Sequence, residues 1–172
     1  MEEPADLARL RDLLSLRDGL DSFGLLLFDR PGVSGYDQTM ANCLAFATTG
    51  GDGVHYGLLD TGEGIDNTSP VVMTVPMADN ANRIVGNNLR HFLALGLASG
   101  YFVLEQLQYD YAGTCAALQL GDYRQHLSEA ERSALALIAQ EFCLEPWHDY
   151  QATLDALETH WGARPDGVRQ VD

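Results

Sequence analysis

The residue types best suited to acid–base chemistry are His55 and Asp52, which stand three positions apart beside a run of glycines. A histidine held next to a carboxylate can exchange a proton near neutral pH. The H-E-x-x-H and G-x-S-x-G patterns of zinc and serine enzymes are absent. A buried strand histidine with an ordinary hydrogen bond is the commoner arrangement, so we expect no catalytic residue. A small hydrolase or metal-dependent enzyme that uses His55 and nearby acids stays an alternative, as does a dyad of Cys43 with a histidine distant in sequence.

Asp60, Glu63 and Asp66 repeat at a spacing of three, and oxygen ligands of this kind can bind calcium. The twelve-residue calcium-loop pattern does not occur around them. A solvated acidic loop is far commoner than a metal site. We therefore expect neither a metal nor another cofactor.

Gly50, Gly51 and Gly53 form a glycine-rich turn between two apolar segments. Successive backbone N–H groups in such a turn can bind phosphate. The Lys-Ser/Thr pair of a P-loop is missing, the G-x-G-x-x-G pattern is not matched, and Asp52 would repel an anion. The three glycines are therefore predicted to be structural, and to form the turn that leads into a β-hairpin.

The chain of 172 residues has a net charge of −15, with no lysine. This charge opposes nucleic-acid binding and favours a protein partner with a basic surface, although it could serve solubility alone. No Arg or Lys occurs between Arg30 and Arg83. The acidic residues of that span are the predicted partner-binding residues: Asp37, Asp52, Asp60, Glu63, Asp66 and Asp79.

Cys43, Cys115 and Cys143 lie far apart, which argues against a disulfide framework and indicates a reducing compartment. We expect all three thiols to be buried. The first residues are acidic and polar, and no apolar run approaches the roughly 18 residues of a membrane span. We therefore expect a cytoplasmic protein that does not enter the membrane.

The first half of the chain is predicted to mix helices and strands. Apolar spacing indicates a helix over residues 4–20 that ends at Gly19, and a short helix over 38–46. Residues 23–28 could be a strand or a helical turn, and residues 29–32 are predicted to be a turn. Strands are expected over residues 54–59, 70–76 and 83–85, with a polar loop over 61–69.

From residue 87 onward the chain is predicted to be mainly helical, and its last third is predicted to be helical. Asn87 or Asn88 caps a helix that stops at Gly100, and residues 101–107 form a strand or begin a helix. A helix over 113–120 is closed by Gly121. The next helix has a capping box at Ser128, and the last begins at Pro146 and ends at Gly162.

Residues 46–59, which read Phe-Ala-Thr-Thr-Gly-Gly-Asp-Gly-Val-His-Tyr-Gly-Leu-Leu, resemble the glycine-rich strand entry of the SUKH superfamily. Residues 70–76, and then 88–93 (Asn-Leu-Arg-His-Phe-Leu), are similar to the later half of that family. The resemblance covers residues 40–107. The family includes fungal cell-wall synthesis regulators and many bacterial immunity proteins.

This resemblance implies an α+β domain with a twisted, mainly antiparallel sheet flanked by helices, and no catalytic residues. Bacterial members typically bind and neutralise a toxin in the cytoplasm. We expect one domain over residues 1–172, in which the helical third over 110–162 elaborates the family core. The expected function is toxin neutralisation by binding a basic toxin domain, and the alternative is a regulatory or scaffold role like that of the fungal members. The oligomeric state stays open.

Overall fold

The computed structural model describes residues 3–17, 23–32 and 34–162. Its strands, in chain order, are β1 Leu26–Gly32, β2 Cys43–Thr48, β3 His55–Leu59, β4 Val71–Thr74 and β5 Asn82–Gly86. Its α-helices are α1 Ala5–Ser15, α2 Leu89–Gly96, α3 Tyr111–Leu120, α4 Glu129–Phe142 and α5 Tyr150–Trp161. Two 3₁₀ helices, Phe102–Gln108 and Asp122–His126, lie between them. The predicted α+β fold with a helical C-terminal third is confirmed.

The strands form one antiparallel sheet in which each strand pairs with its neighbours in sequence, in the order β1-β2-β3-β4-β5. Every residue of β3 and β4 is buried. These strands are buried because other parts of the chain cover both faces of the sheet. Tyr56, on one face, donates its hydroxyl to the carbonyl of Tyr101 at 2.6 Å, and His55, on the other face, contacts Thr39 in the segment that leads into β2.

The helical side of the sheet packs through a group of buried aromatic rings. Phe92 of α2 lies 4.7 Å from the ring of Tyr56, 5.2 Å from that of Tyr101 and 6.2 Å from that of Phe46. Burial of each such side chain stabilises the fold by about 2–3 kcal/mol. These contacts attach the helices to the face of the sheet that Tyr56 occupies.

Two predictions about the residues that form β1 and β2 are wrong. Residues 38–46 do not form a helix, because β2 begins at Cys43 and pairs with β3, with Ala45 opposite Gly57. Residues 29–32 are not a turn but the second half of β1, whose pairing with β2 is irregular between Leu27 and Gly32. For residues 23–28, the strand alternative is correct from Leu26 onward.

Several predicted helix boundaries differ from the structure. The first helix ends at Ser15, and the predicted end at Gly19 lies outside the described residues. Helix α2 is capped by Asn88 and ends at Gly96, four residues before the predicted stop. Residues 102–108 form a 3₁₀ helix, and α5 begins after Asp149 rather than at Pro146.

Three further local predictions agree with the structure. The side chain of Ser128 accepts a hydrogen bond from the backbone N–H of Glu131, whose carboxylate accepts one from the N–H of Ser128. Gly121 closes α3 in the left-handed conformation, at a φ of 74°. Strands were expected over residues 70–76 and 83–85, and the structure has them at 71–74 and 82–86.

Candidate functional site

The glycine-rich segment joins β2 to β3 and is therefore the turn of a hairpin, whereas the sequence predicted a turn that leads into a hairpin. The N–H of Thr49 donates to the carbonyl of Val54 at 3.0 Å. Gly50, Asp52 and Gly53 all have positive φ, of 86°, 48° and 73°. Glycine adopts this conformation at no steric cost, and aspartate tolerates it better than most residues do. The turn therefore presents the exposed carboxylate of Asp52 between two glycines.

Two partly exposed aromatic rings flank this turn. A Cβ on Gly53 would lie 2.4 Å from Cζ of Tyr36, and one on Gly51 would lie 3.5 Å from Cε2 of Phe102. Tyr36 is 47% exposed and Phe102 is 42% exposed. Sequence reasoning missed both rings as site residues, although the position of Tyr36 between a glycine and an aspartate in a polar segment was a usable signal.

His55 is buried, and both of its ring nitrogens are engaged. Nδ1 lies 2.7 Å from the carbonyl oxygen of Gly53, and Nε2 lies 2.9 Å from Oγ1 of Thr39. Since a carbonyl can only accept, Nδ1 carries the proton of the neutral ring, and the Thr39 hydroxyl donates to Nε2. Burial lowers the pKa of the imidazole. Among the described residues no carboxylate bonds to this ring, so the acid–base pair with Asp52 does not form.

The six predicted partner-binding carboxylates are divided between the two ends of the sheet. Antiparallel neighbours place the β2–β3 turn with Asp52 and the β4–β5 turn with Asp79 at one end. Asp37 joins them, because the carbonyl of the adjacent Gln38 accepts a hydrogen bond from Nδ2 of Asn82, the first residue of β5, at 3.0 Å. The β3–β4 loop lies at the other end and carries the rest: Asp60, Glu63 and Asp66.

The carboxylates of the β3–β4 loop mainly organise their own loop. One oxygen of Asp60 accepts from the N–H groups of Gly62 and Gly64, at 2.7 and 2.9 Å. One oxygen of Asp66 accepts from the N–H and the hydroxyl of Thr68, both at 2.7 Å, and these bonds lower the pKa of Asp66. Within the described part of the chain, no three His, Cys, Asp or Glu residues are placed to hold a metal ion.

The 3₁₀ helix Phe102–Gln108 connects the two turns at the Asp52 end of the sheet. It begins with Phe102 beside the β2–β3 turn, and the side chain of Gln108 donates to the carbonyl of Asn80 in the β4–β5 turn. Glu105 lies between these contacts. Burial raises the pKa of its carboxyl, and the negative charge of Asp52 raises it further. Glu105 is a further acidic residue of this surface that sequence reasoning missed.

The cysteines differ in exposure. Cys43 and Cys115 are buried, and burial raises the pKa of Cys43 to about 12. Cys143 is exposed, so the expectation of three buried thiols is wrong for this residue. Cys143 caps the C-terminus of α4, one residue beyond the last buried residue of that helix, Phe142.

Comparison of the chain with family models, with curated proteins and with solved structures returned no match at a significant level. In the described part of the chain, no helix has both the length and the apolar character needed to cross a membrane. The class of protein that the structure itself defines is an α+β protein, with a five-stranded antiparallel sheet in its described residues.

Proposed function

We propose that this protein is a non-enzymatic protein-binding domain that recognises a basic partner protein. The observation that carries the proposal is the exposure of carboxylates in a span of sequence without any Arg or Lys: Asp37, Asp52, Glu63, Asp66 and Asp79 are exposed and Asp60 is half-buried. A surface of one sign attracts a partner of the opposite sign and speeds its encounter.

In this proposal the protein acts in the cytoplasm as an immunity protein that neutralises a bacterial toxin. The SUKH resemblance over residues 40–107 supports this role. The net charge of −15 agrees with it, because toxins that act on nucleic acid tend to be basic. Both ring nitrogens of His55 are hydrogen-bonded within the protein, whereas a general base needs a nitrogen that can reach a substrate. This supports a non-enzymatic function over that of a hydrolase.

The test is affinity capture from a lysate of the source cells with the purified protein, at low and at high salt. We expect one stoichiometric, basic partner that is released at high salt, since screening weakens attraction between exposed charges. Failure to capture any stoichiometric partner would contradict the proposal. Several substoichiometric partners would favour the regulatory or scaffold alternative.

A charge-matched pair of variants makes the capture experiment specific. The triple variant Asp37→Asn, Asp52→Asn, Asp79→Asn removes three negative charges from one end of the sheet. The control removes three exposed carboxylates from the helical third: Asp122→Asn, Glu129→Gln and Glu145→Gln. We expect the first variant to lose most of the partner and the control to retain it. Equal losses would indicate an effect of net charge alone.

A further inference from the structure

Exposed apolar side chains collect at one end of the sheet. We define the aromatic end as residues 36–38, 50–53, 76–80 and 102–108. Tyr36, Phe102 and Met77 lie there with exposed fractions of 47%, 42% and 78%. Large aromatic and methionine side chains that remain partly exposed are typical of the centre of a protein–protein interface.

Carboxylates surround these side chains. Asp52 lies at the tip of the turn between the two rings, Asp37 directly follows Tyr36, and Asp79 lies two residues after Met77. Burial raises the pKa of the Glu105 carboxyl, and the negative charge of Asp52 nearby raises it further. A cation bound between them would relieve this repulsion.

The nearest basic residue in sequence after this span, Arg83, is already engaged. Its Nε donates to Oε1 of Gln108 at 2.6 Å, and its guanidinium lies 4.6 Å from the ring centre of Tyr111. It therefore neutralises none of the carboxylates through a direct ion pair in the described structure. The aromatic end keeps its negative charge available to a partner.

The aromatic end is also held in place before any partner binds. The ring of Tyr36 stacks on that of His55, with centroids 5.8 Å apart and planes 20° apart. The backbone at Phe102 packs closely on Gly24, because a Cβ on that glycine would lie 2.1 Å from the N atom of Phe102. Side chains that are already ordered lose less entropy on binding.

The opposite end of the sheet lacks these features. The loop over residues 60–69 contains no aromatic residue. Two of its three carboxylates, those of Asp60 and Asp66, accept hydrogen bonds from their own loop. It offers negative charge without an apolar contact surface.

We infer that the aromatic end is the surface that binds the basic partner, and that it selects arginine side chains over lysine side chains of that partner. The inference rests on the proposed protein-binding function and deepens it. A guanidinium is planar, so it can stack on the ring of Tyr36 or Phe102 while it donates two hydrogen bonds to a neighbouring carboxylate such as Asp52. A lysine ammonium carries the same charge but has no plane to stack.

The test is an NMR titration of the ¹⁵N-labelled protein with a nona-arginine peptide, with nona-lysine as the charge-matched control. We expect amide shifts to concentrate at residues 36–39, 50–53, 77–80 and 102–106. We expect nona-arginine to bind about two- to fivefold more tightly than nona-lysine, the range for a stacked exposed cation. Shifts concentrated at residues 60–68, or equal affinity for the two peptides, would overturn the inference.

Ring variants test the contribution of stacking. Phe102→Leu keeps an apolar side chain and Tyr36→Ala removes the other ring, and each should lower the preference for arginine. Leu120→Ala is the control, since Leu120 is 76% exposed at the end of α3 and should not change it. The ¹⁵N spectrum of each variant reports whether it is folded. Should Tyr36→Ala not fold, Phe102→Leu alone decides, and an unchanged arginine preference in that variant overturns the inference.

The failure of this inference is distinguishable from the failure of the proposed function. Substitution at the aromatic end that leaves lysate capture intact, together with loss of capture on Glu63→Gln, would locate the binding surface elsewhere while the binding function stands. Absence of any captured partner would refute the proposed function, whatever the peptide titration shows.

Discussion

The ring of Tyr36 occupies the space that a side chain on Gly53 would need. A Cβ built on Gly53 would lie 2.4 Å from Cζ and 2.6 Å from the hydroxyl oxygen of Tyr36. Gly53 also has a φ of 73°, which residues with a Cβ rarely adopt. The glycine therefore serves both the hairpin turn and the position of the exposed ring.

We expect Gly53→Ala to lower the free energy of unfolding by about 1–2 kcal/mol, the cost of the left-handed conformation for a residue with a Cβ, and to displace Tyr36. Urea denaturation measures the first effect, and the ¹H–¹⁵N NMR shifts of Tyr36 and its neighbours measure the second. Gly35→Ala is the matched control, because a Cβ there meets no atom within 4 Å. A Gly53→Ala variant as stable as Gly35→Ala would contradict the steric relationship.

The lowered pKa of His55 leads us to expect a specific pH dependence of the stability. Burial lowers its pKa from the ordinary value of 6.5, so the unfolded chain binds a proton at this position more readily than the folded protein does. The contribution of His55 is fully present above pH 6.5 and is lost as the pH falls toward the lower pKa of the folded state. The stability advantage of the wild type over His55→Gln should therefore shrink between pH 7.5 and pH 5. An advantage that is constant over this range in urea denaturation would refute the prediction.

The ion pair of Asp6 and Arg90 joins α1 to α2 through two hydrogen bonds, of 2.7 and 2.8 Å. The guanidinium of Arg90 lowers the pKa of the Asp6 carboxyl, and Asp6 is a buried residue. We expect Asp6→Asn to cost about 1–2 kcal/mol at pH 7. The cost should be present above the ordinary carboxyl pKa of 3.8 and disappear as the pH falls through the lower folded-state value.

The control for this pair is Glu141→Gln, which removes the exposed partner of Arg9. Exposed ion pairs contribute little, so this variant should lose less than about 0.5 kcal/mol. Chemical denaturation of both variants measures the difference. Equal costs would show that the burial of Asp6 does not strengthen its pair.

The thiols provide a direct check of the core. In the native protein, Cys143 should react rapidly with a chromogenic disulfide reagent, while Cys43 and Cys115 should react only as the protein unfolds. The raised pKa of Cys43, about 12, adds to its protection because only the thiolate reacts. Cys143→Ser should abolish the fast phase. A fast phase that persists in that variant would mean that a second thiol is accessible.

Local sequence signals were sufficient where all interacting residues are neighbours. The capping box of Ser128 and Glu131 spans four residues, and the left-handed turns at Gly53 and Gly121 depend on the missing side chain of one residue. The strand over residues 71–74 follows from its β-branched residues between two prolines. These predictions required no knowledge of the rest of the fold.

The structure of short apolar segments depended on distant partners. Residues 43–48 carry an apolar pattern that fits a helix or a strand, and pairing with β3 made them a strand. Likewise, nothing local indicates that His55 would bond to Thr39, sixteen positions earlier in the chain.

The acidity of residues 31–82, the glycine turn and the helical C-terminal third could all be predicted from the sequence alone. The packing of the fold determines which carboxylates lie together. Successive antiparallel strands send the loops after β2 and β4 to one end of the sheet and the loop after β3 to the other, and the contact of Gln38 with Asn82 brings Asp37 to the Asp52 end. The tertiary structure alone brought Tyr36, Asp52 and Phe102 to one turn, across 66 positions of sequence. Proximity of this kind arises from the packing of strands and helices, which no short stretch of sequence encodes.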